Sequence, residues 1–176
     1  IGKTGCGKTT VVDLLLRTYN LDENQVFIDD TDIMKLPFKK VRDSIGYVPQ
    51  DNFLFSDTIK NNIAFAFDEM DDESVVEAAK LADVHNNIIE FNEKYETILG
   101  ERGVTLSGGQ KQRVSIARAL IKDPAILIFD DSVSAVDTKT EETILTNLRR
   151  LRQGKTTIMI AHRISTVETL DKIIVM

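Results

Sequence analysis

The chain has 176 residues, 42% hydrophobic and 28% charged, with a formal net charge of −6. That is the balance of a soluble globular domain with room for one core, and the negative charge argues against broad binding to nucleic acid or anionic lipid. A single cysteine, Cys6, excludes an internal disulfide and fits a reducing compartment, and no apolar run reaches the roughly 20 residues needed to cross a bilayer.

The chain opens inside a motif, at Ile1-Gly2, and closes on the apolar run Ile173-Ile174-Val175-Met176. It is therefore expected to be a piece of a longer protein. Residues 9–17 are predicted as a helix that starts directly after a glycine-rich turn. Residues 25–29 read as a short strand. Residues 41–42 and 45–48 flank a turn, and Pro49 restricts the backbone of Val48. Residues 58–67 and 73–84 read as helices, the second with an acidic start at Asp71-Asp72-Glu73 that suits a helix N-terminus. Residues 108–121 form a stronger helical pattern, opened by Gly108-Gly109 and followed by Pro124. Residues 125–129 are continuously apolar, the mark of a strand buried on both faces of a parallel sheet. A helix over 141–152 closed by Gly154, a buried strand over 156–161, a short helix over 165–170 and an apolar strand over 172–176 complete the reading. The fold class is α/β: a mostly parallel sheet near both ends of the sequence, with an inserted helical subdomain at about 52–120.

Three patterns carry chemistry. Gly2-Lys3-Thr4-Gly5-Cys6-Gly7-Lys8-Thr9, followed by Thr10, fits the phosphate-binding loop G-x-x-x-x-G-K-[ST]. Its glycines let backbone N–H groups curl around an anion, and the following helix points its positive end at the same place. Lys8 supplies a charge for the β- and γ-phosphates, and the Thr9 hydroxyl is a Mg²⁺ ligand. Cys6 reads as a small residue at a variable position rather than a redox sensor. Next, Ile126-Leu127-Ile128-Phe129-Asp130-Asp131 carries two carboxylates to the end of a buried strand, where open α/β sheets bind ligands. Asp130 is expected to hold Mg²⁺ and Asp131 to polarise the attacking water. Finally, Leu106-Ser107-Gly108-Gly109-Gln110 opens a helix and makes a second anion cradle. One nucleotide does not need two, so the second is expected to serve a nucleotide held by another subunit.

Gly2 to Thr9, Gln50, Leu106 to Gln110, Asp130-Asp131, Ser134-Ala135-Val136-Asp137 and His162 stand in the order of an ABC transporter nucleotide-binding domain, which the chain resembles over essentially its whole length. Tyr47 to Ile59 resembles the Q-loop segment of the exporter branch, which lies under the membrane domain. Tyr95-Glu96-Thr97 and Gly100-Glu101-Arg102-Gly103 resemble its X-loop. The resemblance implies a P-loop core whose N-terminal antiparallel sheet is largely missing from this stretch. It also implies a head-to-tail dimer with ATP between Gly2 to Thr9 of one subunit and Ser107, Gly108, Gly109 and Gln110 of the other. Gln50 is then expected at the Mg²⁺ ion or the attacking water, Asp137 across the dimer and His162 at the γ-phosphate. On their own residues, His162 reads as a histidine at a helix start and Gln50 carries no signal. The implied partners are a second nucleotide-binding domain and a transmembrane domain, at the cytoplasmic face of the cell membrane, with no nucleic acid.

The chain departs from the family at Asp131, where glutamate is usual. Aspartate is one methylene shorter, and a misplacement of about 1 Å costs on the order of 100-fold in rate. In similar exporters this aspartate marks one half of a heterodimer that keeps an intact signature and lends it to a partner. A homodimer in which Asp131 works adequately is the alternative. Two further readings are a soluble cassette protein of translation or repair and a nucleotide-binding regulatory module that does not hydrolyse.

Overall fold

The computed structural model describes residues 1–101, 105–133 and 136–176, and the side chains of all of these except Ile164 and Ser165. Arg102, Gly103, Ser134 and Ala135, named above within the X-loop-like and Asp137-containing motifs, lie outside the described residues. The first helix, α1 (Lys8–Leu15), is followed by an antiparallel pair, β1 (Phe27–Ile28) and β2 (Thr31–Asp32). Then come α2 (Phe38–Ser44), β3 (Ile45–Val48), α3 (Ile59–Ile63), α4 (Asp72–Leu81), α5 (His85–Ile89) and α6 (Gly108–Leu120). The chain ends with β4 (Ile126–Asp130), α7 (Thr138–Leu151), β5 (Thr156–Ile160) and α8 (Ile164–Val167). The strands β3, β4 and β5 form one parallel sheet with β4 in the middle. The fold is α/β, with the helices α3, α4, α5 and α6 falling between β3 and β4 in the chain.

The sheet separates two apolar cores, and strand alternation decides which residue serves which. Leu127 and Phe129 of β4 face the larger core, with Val48, Ile59, Ile63, Val75, Ile116 and Ile144. Ile128, between them, faces the other core with Val12 of α1, Val41 of α2, Ile45 and Ile160. Continuing the alternation by one residue places Asp130 on the α1 face. The same phase holds in β3: Ile45 and Tyr47 belong to the α1 side and Val48 to the other. Tyr47 pairs in register with Ile128, and Asp130 with Ile160.

On the opposite face α6 packs closely on β3. A Cβ at Gly46 would lie 2.7 Å from Pro124 Cγ, 3.0 Å from Leu127 Cδ1 and 3.1 Å from the Ala119 carbonyl oxygen. Further along α6, the Arg118 guanidinium joins this helix to α3. Its Nε donates to the Asn62 carbonyl at 2.7 Å and its Nη2 to Asn62 Oδ1 at 2.8 Å. Its Nη1 donates to the Phe53 carbonyl at 2.9 Å. Burial lowers the Arg118 pKa to about 10, and the group sits over the Phe55 and Phe65 rings.

Four expectations need correction. The strand expected over 25–29 is two residues long, because Asp29 turns at φ 50° into a hairpin with β2. The turn expected between 42 and 45 is instead the end of α2, which runs directly into β3. The helix expected from 141 starts at Thr138, because the Asp137 side chain accepts the Thr140 N–H at 3.1 Å and caps it. No strand is assigned over 172–176. Among the described residues its backbone hydrogen bonds run to Ile1, which donates to the Ile174 carbonyl at 2.7 Å and accepts from Met176 N–H at 2.9 Å, too little for a ladder. Elsewhere the boundaries differ by a few residues, most at α3, where the helix expected over 58–67 covers Ile59–Ile63.

Gly46→Val should overpack the α6–β3 contact and destabilise the intact protein by about 1–3 kcal/mol, read as a lower thermal midpoint and a lower folded yield.

Candidate functional site

The glycine-rich loop closes through backbone conformations that glycine supplies. Gly5 has φ 80° and Gly7 φ 99°, both left-handed. Gly7 is the N-cap of α1 and offers no side chain to its first N–H groups, so those donors suit an anion. Gly2 serves another need: a Cβ there would lie 2.5 Å from the Met176 carbonyl oxygen and 2.7 Å from Cys6 Sγ. Lys8 reaches back across the loop. Its ammonium donates to the Gly2 and Lys3 carbonyls, each at 2.9 Å, and lies 3.7 Å from Cys6 Sγ.

At the start of α1 the Thr9 hydroxyl donates to Asp130 Oδ1 at 3.2 Å. Asp130 is only 2% exposed. Its second oxygen accepts from the Tyr47 hydroxyl at 3.5 Å. Burial, and then the neighbouring Asp130 charge, push the Tyr47 phenol up to about 12, so it remains a donor at neutral pH. The next residue leaves the strand: Asp131 turns at φ 47° and its N–H donates to the Ile160 carbonyl at 3.0 Å. Asp131 Oδ2 then lies 3.8 Å from His162 Nε2, two residues beyond β5.

These groups line a cleft of about 290 Å³ with Thr4, Gly5, Gly7, Lys8, Thr9, Thr10, Gln50, Asp130, Asp131, Ile160 and His162 on its walls. Ten of the expected site residues line it: six come from the loop and the start of α1, and the fold brings in Gln50, Asp130, Asp131 and His162 from three distant segments. Gly2 and Cys6 are behind the loop rather than in the cleft wall.

Two other expected groups stand apart from the cleft wall. Ser107 caps α6, its Oγ accepting from Gln110 N–H at 3.3 Å while Gln110 Oε1 accepts from Ser107 N–H at 2.9 Å. Gly108 and Gly109 are the first two residues of that helix. Asp137 caps α7, and its hydrogen bonds from the Thr140 side chain and backbone hold its carboxyl below the usual range. None of these five residues lines the cleft. Motif reading missed Tyr47 and Ile160 as parts of the site, and only the phase of their strands signals them.

The donor chemistry suits Mg²⁺. The Thr9 hydroxyl and the Asp130 carboxylate are hard oxygen ligands close together, and Mg²⁺ is held by one or two carboxylates completed by phosphate oxygens and water. Among the described residues no group of three or more His, Cys, Asp or Glu side chains forms a metal cage of its own.

The family model described as ABC transporter matches residues 1–134. A probable multidrug resistance ABC transporter ATP-binding/permease protein of Bacillus subtilis is 49% identical over 175 residues, covering 99% of this chain and 30% of that protein. A mitochondrial iron-sulfur clusters transporter of Gibberella zeae is 44% identical over 178 residues, covering 100% of this chain and 26% of its own length. A solved structure of a bacterial Atm1-family ABC exporter with ATP bound superposes with a TM-score of 0.95 at 46% identity, over 99% of this chain and 31% of that one. The chain thus spans less than a third of each of these relatives.

Gly7→Ala forces a side chain into a left-handed backbone position, at a cost of about 1–2 kcal/mol. Nucleotide affinity of the intact protein, measured by calorimetry, should fall on the order of tenfold as the loop rearranges.

Proposed function

The chain belongs to the ABC transporter family as an ATP-binding domain of the exporter kind, and from that premise we propose that it binds Mg·ATP in the cleft and hydrolyses it to power export across a membrane. One observation carries the reading: four segments far apart in sequence converge on a single cleft with the charges that ATP hydrolysis needs. The loop amides and Lys8 grip the β- and γ-phosphates, while Thr9, Asp130 and Gln50 would hold Mg²⁺. When bound, the ion neutralises charge on the β- and γ-phosphate oxygens. Tyr47 donates to Asp130 and keeps its carboxylate aimed at the Thr9 side of the cleft. Asp131 accepts a hydrogen bond from the attacking water, with Gln50 beside it. The water oxygen bonds to the γ-phosphorus and the bond from that phosphorus to the bridging oxygen breaks; one water proton stays on the new P–O bond, the other passes to a phosphate oxygen, and ADP and phosphate leave. His162 donates to the γ-phosphate.

The signature residues Ser107, Gly108, Gly109 and Gln110 and the cap Asp137 serve the cleft of a second nucleotide-binding domain, which is why they stand outside this one. Residues of about 52–120 act as the helical subdomain. Phe53, Phe55 and Phe65, exposed around Arg118, belong to the segment that meets the transmembrane domain. The working place is the cytoplasmic face of the membrane.

Asp131 sets the rate. Its carboxylate is anchored by a backbone turn and is one methylene shorter than glutamate, so the water is held loosely. This site binds ATP and turns it over slowly, while its signature completes a faster site with a glutamate-bearing partner. Two measurements on the intact transporter test this. Lys8→Ala should lower ATP affinity at least tenfold. Asp131→Glu should raise turnover at this site by on the order of 10- to 100-fold, and Asp131→Asn should change total turnover little. Abolition of all turnover by Asp131→Asn in a transporter needing no second kind of subunit would overturn the unequal sites.

A further inference from the structure

We propose that Glu141 is a positioning residue that holds His162 in the cleft by fixing the chain on its C-terminal side. The proposal rests on the reading above, in which His162 touches the γ-phosphate. Glu141 lies in the first turn of α7, its N–H donating to the Asp137 carbonyl at 2.9 Å. It is 4% exposed and does not line the cleft. Both carboxylate oxygens are engaged by the segment that follows His162. Arg163 Nη1 donates to Oε2 at 2.5 Å, and the Thr166 hydroxyl, from α8, donates to Oε1.

His162 itself is exposed and belongs to an irregular stretch between β5 and α8. Neither a strand ladder nor a helix determines where its ring points. That stretch is tied down on both sides instead. Before it, the Ile160 carbonyl accepts from Asp131 N–H. After it, Arg163 and Thr166 are drawn onto Glu141. The two ties set the imidazole opposite Asp131. A buried carboxylate is a costly way to gain stability, because desolvation offsets much of the attraction. An apolar contact between α7 and α8 would stabilise as well. What the charged tie adds is direction: two acceptor oxygens fix a guanidinium and a hydroxyl at set angles. Because α7 is capped by Asp137, the same tie joins the placement of His162 to the start of that helix.

The test uses the intact transporter with the partner's own cleft disabled, so that ATPase kinetics per folded molecule report this cleft alone. Glu141→Gln keeps the shape but loses the charge and one acceptor. It should lower kcat on the order of tenfold, with KM for ATP changed by less than about twofold, since loop and Lys8 binding are untouched. Arg163→Lys, which keeps a cation against Glu141, should keep turnover within about threefold of the parent. A merely structural role would lower the thermal midpoint and folded yield while leaving kcat per folded molecule unchanged, and that result overturns the proposal. So would equal changes in kcat and KM. If Glu141→Gln does not fold, Arg163→Met from the half-exposed side of the pair takes its place with the same expected split. His162→Ala separates the two readings. Full turnover in His162→Ala contradicts the role of His162 itself, whereas lost turnover there with normal kcat in Glu141→Gln contradicts only the positioning.

Discussion

The hydrogen bond from Thr9 to Asp130 joins the start of α1, just after the glycine-rich loop, to the strand that carries the acidic pair. It exists because of the phase of β4. Leu127 and Phe129 are committed to the core beneath α6, so Ile128 and Asp130 must face α1. A slip of one residue would bury Asp130 among the apolar side chains of the larger core and present a phenylalanine to the loop. Tyr47 follows the same rule in β3 and arrives at the other Asp130 oxygen. The apolar packing of the sheet therefore aims the site as well as stabilising the domain.

The two helix starts with exposed glycine-rich N-termini are built differently. At α1 the cap is Gly7, which brings no side chain to the helix amides. At α6 the cap is Ser107, and Ser107 and Gln110 satisfy each other's backbone donors. The first is shaped to hold an anion within its own chain, and the second is held rigid on a surface away from the cleft.

Much of this is legible in the sequence. The loop, the buried strand ending in Asp130 and the capped helix at Ser107 are local patterns, and each formed where its residues predicted. The convergence of Gln50 and His162 with the loop was not local, and only the resemblance to a family pointed to it. Residues 38–44 were not legible as a helix because the segment buries little besides Val41. It is too short to hold a helix alone, and it relies on Phe38 packing under Arg17 and Arg42. Residues 172–176 have a strand's composition, but composition cannot supply a partner, and Ile1 alone does not make a ladder. Glu141 was read only as part of a helix, since nothing in its neighbourhood announces that Arg163 and Thr166 fold back onto it.

If the phase of β4 aims Asp130 at the nucleotide, then Thr9 and Asp130 act together on the same ion. The most direct measurement is the affinity of the intact protein for ATP with and without Mg²⁺, compared among the parent, Thr9→Val, Asp130→Asn and the double variant. Mg²⁺ should tighten binding in the parent on the order of tenfold. Each single variant should lose most of that gain, and the double variant should lose little more. A Mg²⁺-dependent gain that survives in Asp130→Asn would contradict the shared role.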